Sequence, residues 1–167
     1  MIKAGIIGAT GYAGAELARL LLQRDDVELV WYGSRSYVGE DFASIYRNVA
    51  HAVSEPCKDD DMAKLAEMAD VIFIATPQGF CASQVTEDIL SKTKIIDLSA
   101  DFRIKDVDVY EKWYKIKHAT PQFIGEAVYG LPEINREKIK HARLIANPGC
   151  YPTCSFLSTY PLVKEGI

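Results

Sequence analysis

One cysteine lies in a segment whose residue types favour nucleophilic chemistry. Residues 146–153 read ANPGCYPT, with a strand predicted over Arg143–Ala146 and a helix over Pro152–Leu162, so that Cys150 follows a Pro-Gly turn just ahead of the helix. The positive end of a helix dipole and its unpaired N–H groups favour the thiolate, which is the reactive form of cysteine. A lone cysteine is more often a buried structural residue, but this chain also opens with a nucleotide-binding pattern.

The first residues predict a dinucleotide-binding turn. Ile2–Ile7 is a short apolar run typical of a buried parallel strand, and Ala15–Leu22 has the apolar spacing of a helix. Between them, Gly8, Gly11 and Gly14 follow the spacing G-x-x-G-x-x-G, a variant of the usual fingerprint. In such a turn the first glycine permits a tight bend, the second allows close approach of a pyrophosphate, and the third lets helix and strand touch. An ordinary strand-to-helix turn is the alternative interpretation.

The end of the second strand, predicted over Val27–Tyr32, indicates which cofactor binds. An acidic residue there binds the ribose 2′-OH of NAD, whereas an arginine accommodates the 2′-phosphate of NADP. No carboxylate follows this strand; instead the chain continues with Ser34, Arg35 and Ser36. Two hydroxyls and a guanidinium predict NADP rather than NAD, with a solvated loop arginine as the alternative.

Strands and helices alternate along the rest of the chain. This alternation predicts an α/β fold with a Rossmann-type, doubly wound parallel sheet. The run Asp59-Asp60-Asp61 could be mistaken for a metal site, but it is interpreted as the charged cap of a helix. The further strands are predicted over Val71–Ala75, Lys94–Leu98 and Leu144–Ala146, the helices over Met62–Met68 and Phe80–Leu90, and a short helix or irregular excursion over Tyr110–Lys117.

Composition excludes several classes of function. The chain has 167 residues, 49% of them hydrophobic, and a net charge of −4, which suits one soluble globular domain without affinity for nucleic acid or anionic membranes. No apolar run approaches the roughly 20 residues of a membrane helix, and no signal peptide is recognisable, so a cytoplasmic protein is expected. The four cysteines contain no C-x-x-C pair and the three histidines do not cluster with them, which predicts neither disulfide nor metal site. Cys154 is interpreted as a packed small hydrophobic residue.

Four motifs occur in a specific order: GATGYAG at 8–14, DLSADFR at 97–103, VYGLPE at 128–133 and NPGCYPT at 147–153. Together they resemble the N-acetyl-gamma-glutamyl-phosphate reductase family of arginine biosynthesis, which is related to aspartate-semialdehyde dehydrogenase. The resemblance covers essentially the whole chain. It implies NADPH-dependent reduction of N-acetyl-glutamyl 5-phosphate to N-acetyl-glutamate 5-semialdehyde through a cysteine thioester.

The resemblance implies roles for individual residues. Cys150 matches the family's nucleophile. Arg103 is assigned to binding the substrate phosphate or carboxylate, with an ion pair to Asp101 or Asp106 as the alternative. Asn147 orients Cys150 or binds substrate, unless it only closes the turn. Residues 129–133 are expected to border the active site, although their glycine and proline equally suit a plain turn. The residues expected to bind the cofactor are Gly8, Thr10, Gly11, Tyr12, Ala13, Gly14, Ser34, Arg35, Ser36, Thr76, Pro77, Gly79 and Ser99.

The resemblance also implies a longer protein. Family members continue with a second α/β domain that supplies a catalytic histidine, substrate contacts and most of an oligomer interface, and all three histidines here precede Cys150. The chain is therefore expected to contain an NADP-binding domain at 1–149 and the start of a catalytic domain at 150–167. Alone it is expected to be inactive or nearly so, and the full-length protein is expected to be a homodimer or homotetramer.

Other functions share parts of this pattern. A related acyl-phosphate reductase of lysine or aspartate-family biosynthesis would carry similar motifs, and a non-catalytic NADP-binding module would need only the first of them. An extended short-chain dehydrogenase would use Tyr-x-x-x-Lys, which Tyr160–Lys164 matches. Pro161 is expected to break the helix on which both of those side chains must lie.

Overall fold

The computed structural model describes all 167 residues, and its single sheet has six parallel strands in the order β2-β1-β3-β4-β6-β5. The strands are β1 (Ile2–Ile7), β2 (Val27–Gly33), β3 (Val71–Ile74), β4 (Lys94–Asp97), β5 (Val128–Tyr129) and β6 (Leu144–Ala146). The helices are α1 (Tyr12–Leu21), α2 (Phe42–Ile45), α3 (Met62–Ala66), α4 (Phe80–Gln84), α5 (Glu87–Lys92), α6 (Val107–Tyr114), α7 (Pro132–His141) and α8 (Cys150–Lys164), with short 3₁₀ turns at Arg47–Val49 and Pro121–Phe123.

Successive strand residues point to opposite faces of the sheet, and each face has its own hydrophobic core. Ile7 and Trp31 belong to the core covered by α3, α4 and α5. Their neighbours Ile6 and Tyr32 belong to the core covered by α1 and α2. The predicted doubly wound parallel sheet is therefore confirmed.

The strand order creates a crevice at one edge of the sheet. The chain runs from β1 to β2 on one side, then crosses back over β1 to β3 and β4 on the other. The segments that follow β1 and β3 consequently leave in opposite directions. Ligands of doubly wound sheets bind at such a point, outside the carboxyl ends of the strands.

Several elements differ from the predictions. The helix expected over Phe80–Leu90 is two helices, because Val85 is extended and the Thr86 hydroxyl accepts a hydrogen bond from Ile89 N to start α5. The helix expected from Tyr110 begins at Val107, where Asp106 caps it. Neither β5 nor α7 was predicted, because β5 has two residues and α7 is a polar helix with no buried residue.

The last helix begins at Cys150 itself and continues through Pro161, where a break was expected. Pro161 removes one main-chain hydrogen bond, but Glu165 N donates to Pro161 O at 3.2 Å and closes the following turn. No residue of α8 is buried. Cys154 is accordingly exposed, so the interpretation of it as a packed residue was wrong. None of the helices is both long and apolar enough to cross a membrane.

Substitution of Gly14 by alanine is expected to destabilise the domain. A Cβ at position 14 would lie 2.1 Å from the carbonyl oxygen of Gly8, so α1 would have to move away from β1. Overpacking of this kind costs about 1–3 kcal/mol, which urea denaturation would measure. Gly125→Ala is the matched control, because no atom lies within 4 Å of a Cβ there. Equal free energies of unfolding for the two variants would contradict the expectation.

Candidate functional site

A groove of about 470 Å³ opens at the carboxyl edge of the sheet, where the segments after β1 and β3 diverge. Its size and position are typical of ligand sites in this fold. The turn after β1, the tip of β2, the loop before α3 and the loop after β3 all contribute to it. The lining residues are Gly8, Thr10, Gly11, Ser34, Arg35, Ser36, Asp60, Ala75, Thr76, Pro77, Gln78, Gly79 and Phe80.

The glycine turn forms one side of the groove and ends in an uncapped helix. Gly8 has φ +80°, and a Cβ there would lie 2.4 Å from the carbonyl oxygen of Ala75. Gly11 is the residue before α1, and no side chain caps this N-terminus. The first N–H groups of a helix have no partner within it and attract anions. Because Gly11 also lines the groove, this end of α1 is suited to a phosphate group.

Side-chain hydrogen bonds tie the tip of β2 to the glycine turn. The hydroxyls of Thr10 and Ser34 are 2.7 Å apart, and Ser34 is 2% exposed. The Tyr46 hydroxyl donates to the carbonyl oxygen of Thr10 at 2.8 Å. These bonds fix the distance between the glycine turn and the tip of β2, which form two walls of the groove.

Arg35 extends from the tip of β2 between an acid and an aromatic ring. Its Nε donates to Asp60 Oδ2 at 2.6 Å, and its guanidinium carbon lies 4.7 Å from the centre of the Phe80 ring. The Arg35 side chain is 69% exposed and that of Asp60 only 12%. Arg35 is therefore not a free solvated residue, although most of its hydrogen-bonding edge is accessible.

The three consecutive aspartates have different roles. Asp61 caps α3 by accepting from Lys64 N at 3.0 Å, as the cap interpretation predicted. Asp60 does not cap the helix; it lines the groove, which corrects that interpretation for this residue. The reason is tertiary, because Ser34 N donates to Lys58 O and fixes this loop beside the end of β2. Asp60 is 25 residues from Arg35 in sequence, and no local pattern reveals the pairing.

A buried carboxylate shapes the opposite wall of the groove. Asp101 accepts hydrogen bonds from Gly79 N at 2.7 Å, Ala82 N at 3.0 Å and the Tyr110 hydroxyl at 2.8 Å. It is fully buried and thereby fixes the start of α4 behind the loop that contains Thr76. From the sequence, Asp101 was expected only as an alternative partner for Arg103, and this positioning role was not predicted.

Asp97 lies at the end of β4, behind the groove. It accepts from the main-chain N of Ser99 at 2.9 Å and from its hydroxyl at 2.8 Å. Burial raises the pKa of Asp97 to about 6, against the opposing effect of these bonds from Ser99. Ser99 is itself 6% exposed and does not line the groove.

Cys150 is exposed and is the first residue of α8. Gly149 precedes this helix, and no side chain caps the helix N-terminus. Burial raises the pKa values of Cys57 and Cys81, and for Cys81 the increase is large, so these two remain thiols. Cys150 and Cys154 are the exposed thiols of the chain. Only Cys150 also lies at the N-terminus of a helix, in its first position.

Arg103 anchors the segment in front of Cys150. Its Nε donates to Asn147 O and its Nη2 to Leu98 O, both at 2.7 Å. No ion pair forms with Asp101 or Asp106, so that alternative was wrong. Asn147 N in turn donates to Asp97 O at 2.8 Å, which joins this segment to the end of β4.

The structure thus brings the expected site residues into two groups at the same edge of the sheet. Arg103, Asn147 and Cys150 form the second group, around the start of α8. No three His, Cys, Asp or Glu side chains are arranged to hold a metal ion. The expected cofactor residues that line the groove are Gly8, Thr10, Gly11, Ser34, Arg35, Ser36, Thr76, Pro77 and Gly79, and those that do not are Tyr12, Ala13, Gly14 and Ser99.

Residues 3–142 match the family model described as the semialdehyde dehydrogenase NAD binding domain. The chain belongs to this family. Over its full length it is 66% identical to the N-acetyl-gamma-glutamyl-phosphate reductase of Lachnoclostridium phytofermentans and 65% identical to that of Lachnospira eligens. The predicted family resemblance is confirmed. The chain spans 48% of the length of each of these curated relatives.

Solved structures of semialdehyde dehydrogenases share the fold of this domain. The match to aspartate semialdehyde dehydrogenase II of Vibrio cholerae covers 98% of this chain and 47% of the enzyme's chain, with a TM-score of 0.69 and 16% sequence identity. The match to aspartate semialdehyde dehydrogenase with NADP from Candida albicans covers 99% of this chain and 47% of the enzyme's chain, with a TM-score of 0.61 and 15% sequence identity. Family membership, rather than a helix break at Pro161, is what argues against a short-chain dehydrogenase.

Asp97→Asn is expected to remove a pH-dependent part of the stability. The folded-state pKa of about 6 exceeds the unfolded value of about 3.9. Between these values the folded domain binds more protons at Asp97, so its contribution to stability falls as pH rises through this window. The free energy of unfolding of the variant, relative to the unmodified domain, should therefore rise between pH 4 and 6 and level off above that. Urea denaturation at several pH values measures this difference, and a constant difference would contradict the assignment.

Proposed function

We propose that this domain binds NADP in the groove and supplies the cysteine nucleophile of a cytoplasmic N-acetyl-gamma-glutamyl-phosphate reductase. The observation that carries the proposal is the shared edge of the sheet. The groove opens at the carboxyl ends of β1 to β3, and Cys150 begins α8 beyond the carboxyl end of β6. A dinucleotide in the groove and a substrate at Cys150 would therefore lie on the same side of the domain.

The residues of the groove fit NADP. The uncapped start of α1 suits the pyrophosphate, because Gly11, the residue before this helix, lines the groove. Arg35 keeps its Nη edge accessible for a 2′-phosphate, with Ser36 beside it. Thr76 Oγ1 is buried without a hydrogen-bond partner, and a cofactor along the loop of Thr76, Pro77 and Gly79 could satisfy it.

The proposed reaction begins at Cys150. Its thiolate attacks the acyl carbon of the acyl phosphate, the bond to the phosphate oxygen breaks, and inorganic phosphate leaves with the electron pair, which forms a thioester. When bound, NADPH supplies the hydride that reduces this thioester to the aldehyde level. Cys150 then departs as thiolate, which releases N-acetyl-glutamate 5-semialdehyde. The unpaired N–H groups of α8 are suited to stabilise the oxyanion that forms in both steps.

Arg103 and Asn147 would hold the substrate and orient Cys150. Arg103 uses Nε and Nη2 for carbonyl groups, and its Nη1 is the donor left for a substrate phosphate or carboxylate. The Arg103 guanidinium also lies close to Gly149, since Nη1 is 3.1 Å from the position that a Cβ of Gly149 would occupy. One side chain would therefore both fix the start of α8 and reach the substrate.

The domain division and assembly follow the family in this proposal. Residues 1–149 form the NADP-binding domain, and residues 150–167 begin a catalytic domain that completes the site with a histidine, as expected from the resemblance. The reductase would be a homodimer or homotetramer. The chain alone is expected to bind NADP without appreciable turnover, because it spans 48% of its reductase relatives.

A chimaeric protein tests the chemistry. Residues 1–167 are joined to the part of the Lachnoclostridium phytofermentans reductase that follows its matching 48%. The chimaera should reduce NADP in the presence of phosphate and N-acetyl-glutamate 5-semialdehyde. Cys150→Ser should lower kcat/KM by at least about 10³-fold, because the thioester cannot form, and leave the Kd for NADPH unchanged.

Cys154→Ser is the matched control, since it removes an exposed thiol of the same helix and should leave kcat/KM within about twofold. Equal activity of the Cys150 and Cys154 variants would contradict the proposed nucleophile. A higher kcat/KM of the chimaera for aspartate semialdehyde or a carrier-bound aminoadipate semialdehyde would overturn the proposed substrate.

Arg35→Gln tests the cofactor assignment. Loss of the guanidinium should raise the Kd for NADP by about tenfold or more, because charge-assisted bonds to the 2′-phosphate are lost. Isothermal titration calorimetry on the chain measures this. Arg24→Gln is the control, since Arg24 forms an exposed ion pair with Asp26 outside the groove. Equal effects of the two substitutions would contradict the assignment.

A further inference from the structure

The groove contains the carboxylate of Asp60, which comes from the loop before α3 rather than from the end of β2. Lys58 N donates to Tyr32 O at 2.9 Å, and Ser34 N donates to Lys58 O at 2.8 Å, so the loop before α3 runs alongside the tip of β2. Asp60 follows in this loop and lines the groove beside Arg35. It therefore occupies the region in which doubly wound domains distinguish NAD from NADP.

The two oxygens of Asp60 are in different states. Oδ2 accepts from Arg35 Nε at 2.6 Å, whereas Oδ1 is buried and has no hydrogen-bond donor. A buried acceptor without a partner is unfavourable and calls for an explanation, and a hydrogen-bond donor on a ligand in the groove would provide one. The oxygens of a phosphate dianion cannot donate a hydrogen bond, but a ribose hydroxyl can.

We propose that Asp60 is a cofactor-selecting residue that accepts a hydrogen bond from the adenosine 2′-OH of NAD and opposes the 2′-phosphate of NADP. The inference rests on the proposed binding of NADP in this groove. An acidic residue for NAD and an arginine for NADP are usually alternatives. Here both are present as a hydrogen-bonded pair, so the groove binds both cofactors and prefers NADP only narrowly.

The contacts of Arg35 and Asp60 allow this pair to bind NADP through Arg35 and NAD through Asp60. Arg35 uses Nε for Asp60 and one face for the Phe80 ring, which leaves its Nη groups for a phosphate. Its side chain is 69% exposed and so has room to rotate, whereas the Asp60 side chain is 12% exposed and so has little. With NADP, the guanidinium stands between two anions. With NAD, it has no phosphate to bind, and the Asp60 carboxylate receives the hydroxyl.

The substitution Asp60→Asn tests the contribution of the Asp60 charge to NAD binding and to NADP binding separately. The substitution keeps the size and an acceptor for Arg35 but removes the negative charge. The Kd for NAD should rise by about tenfold, as expected for loss of a charge-assisted hydrogen bond, while the Kd for NADP should fall or stay the same. Isothermal titration calorimetry with NAD and with NADP on the unmodified chain and its variants measures both constants.

Asp59→Asn is the matched control, because it makes the same change in net charge at the neighbouring exposed residue, outside the groove. The ratio of its two dissociation constants should stay within about twofold of that of the unmodified chain. Asp60→Ser removes the charge with a smaller side chain, and should shift the ratio in the same direction as Asp60→Asn.

The outcomes separate this inference from the function on which it rests. Binding of neither cofactor to the unmodified chain would overturn the proposed function. Binding of NADP, together with parallel weakening of both cofactors or an unchanged ratio in the Asp60 variants, would overturn only the selecting role of Asp60. A Kd for NAD that rises while the Kd for NADP falls or stays the same supports the selecting role of Asp60, because loss of a purely structural carboxylate would weaken both cofactors in parallel.

Discussion

The main chain passes so closely at the turn after β1 that no side chain fits there. A Cβ on Gly8 would lie 2.4 Å from Ala75 O, and a Cβ on Gly14 would lie 2.1 Å from Gly8 O. The absence of side chains at these two positions lets the end of β3 lie against the turn and the turn against α1. The groove has its shape because three backbone segments meet at this one point, and the tip of β2 is attached to the turn by the hydrogen bond between Thr10 and Ser34.

Carboxylates organise the rest of the site from behind. Asp101 holds the start of α4, and Asp97 holds the backbone of Ser99 beside the segment that leads to Cys150. Asp60 instead faces the groove and pairs with Arg35. Buried acids that accept main-chain N–H groups add rigidity, while the positive charge at this edge of the sheet comes from Arg35, Arg103 and two uncapped helix ends.

Much of this arrangement could be predicted from patterns of residue types that extend over only a few neighbouring positions in the sequence. The bounds of β1 are as predicted, and Gly8, Gly11 and Arg35 line one groove because strand, turn and helix signals all lie within a few residues of them. Asp60 and Asp101 could not be predicted in the same way. Their partners are 25 and 22 residues distant in sequence, and only the packing of loops against strand ends brings them together. The two-residue β5 and the polar α7 carry no apolar periodicity by which to recognise them.

The central claim is that the crevice between the segments after β1 and β3 receives a phosphorylated dinucleotide. The most direct measurement is a titration of the ¹⁵N-labelled chain with NADP, followed through the backbone amide resonances. The account predicts saturable shifts that are largest at Gly8, Gly11, Ser34 and Gly79, the amides around the groove. Shifts confined to residues away from the groove, or no shifts at millimolar NADP, would contradict it.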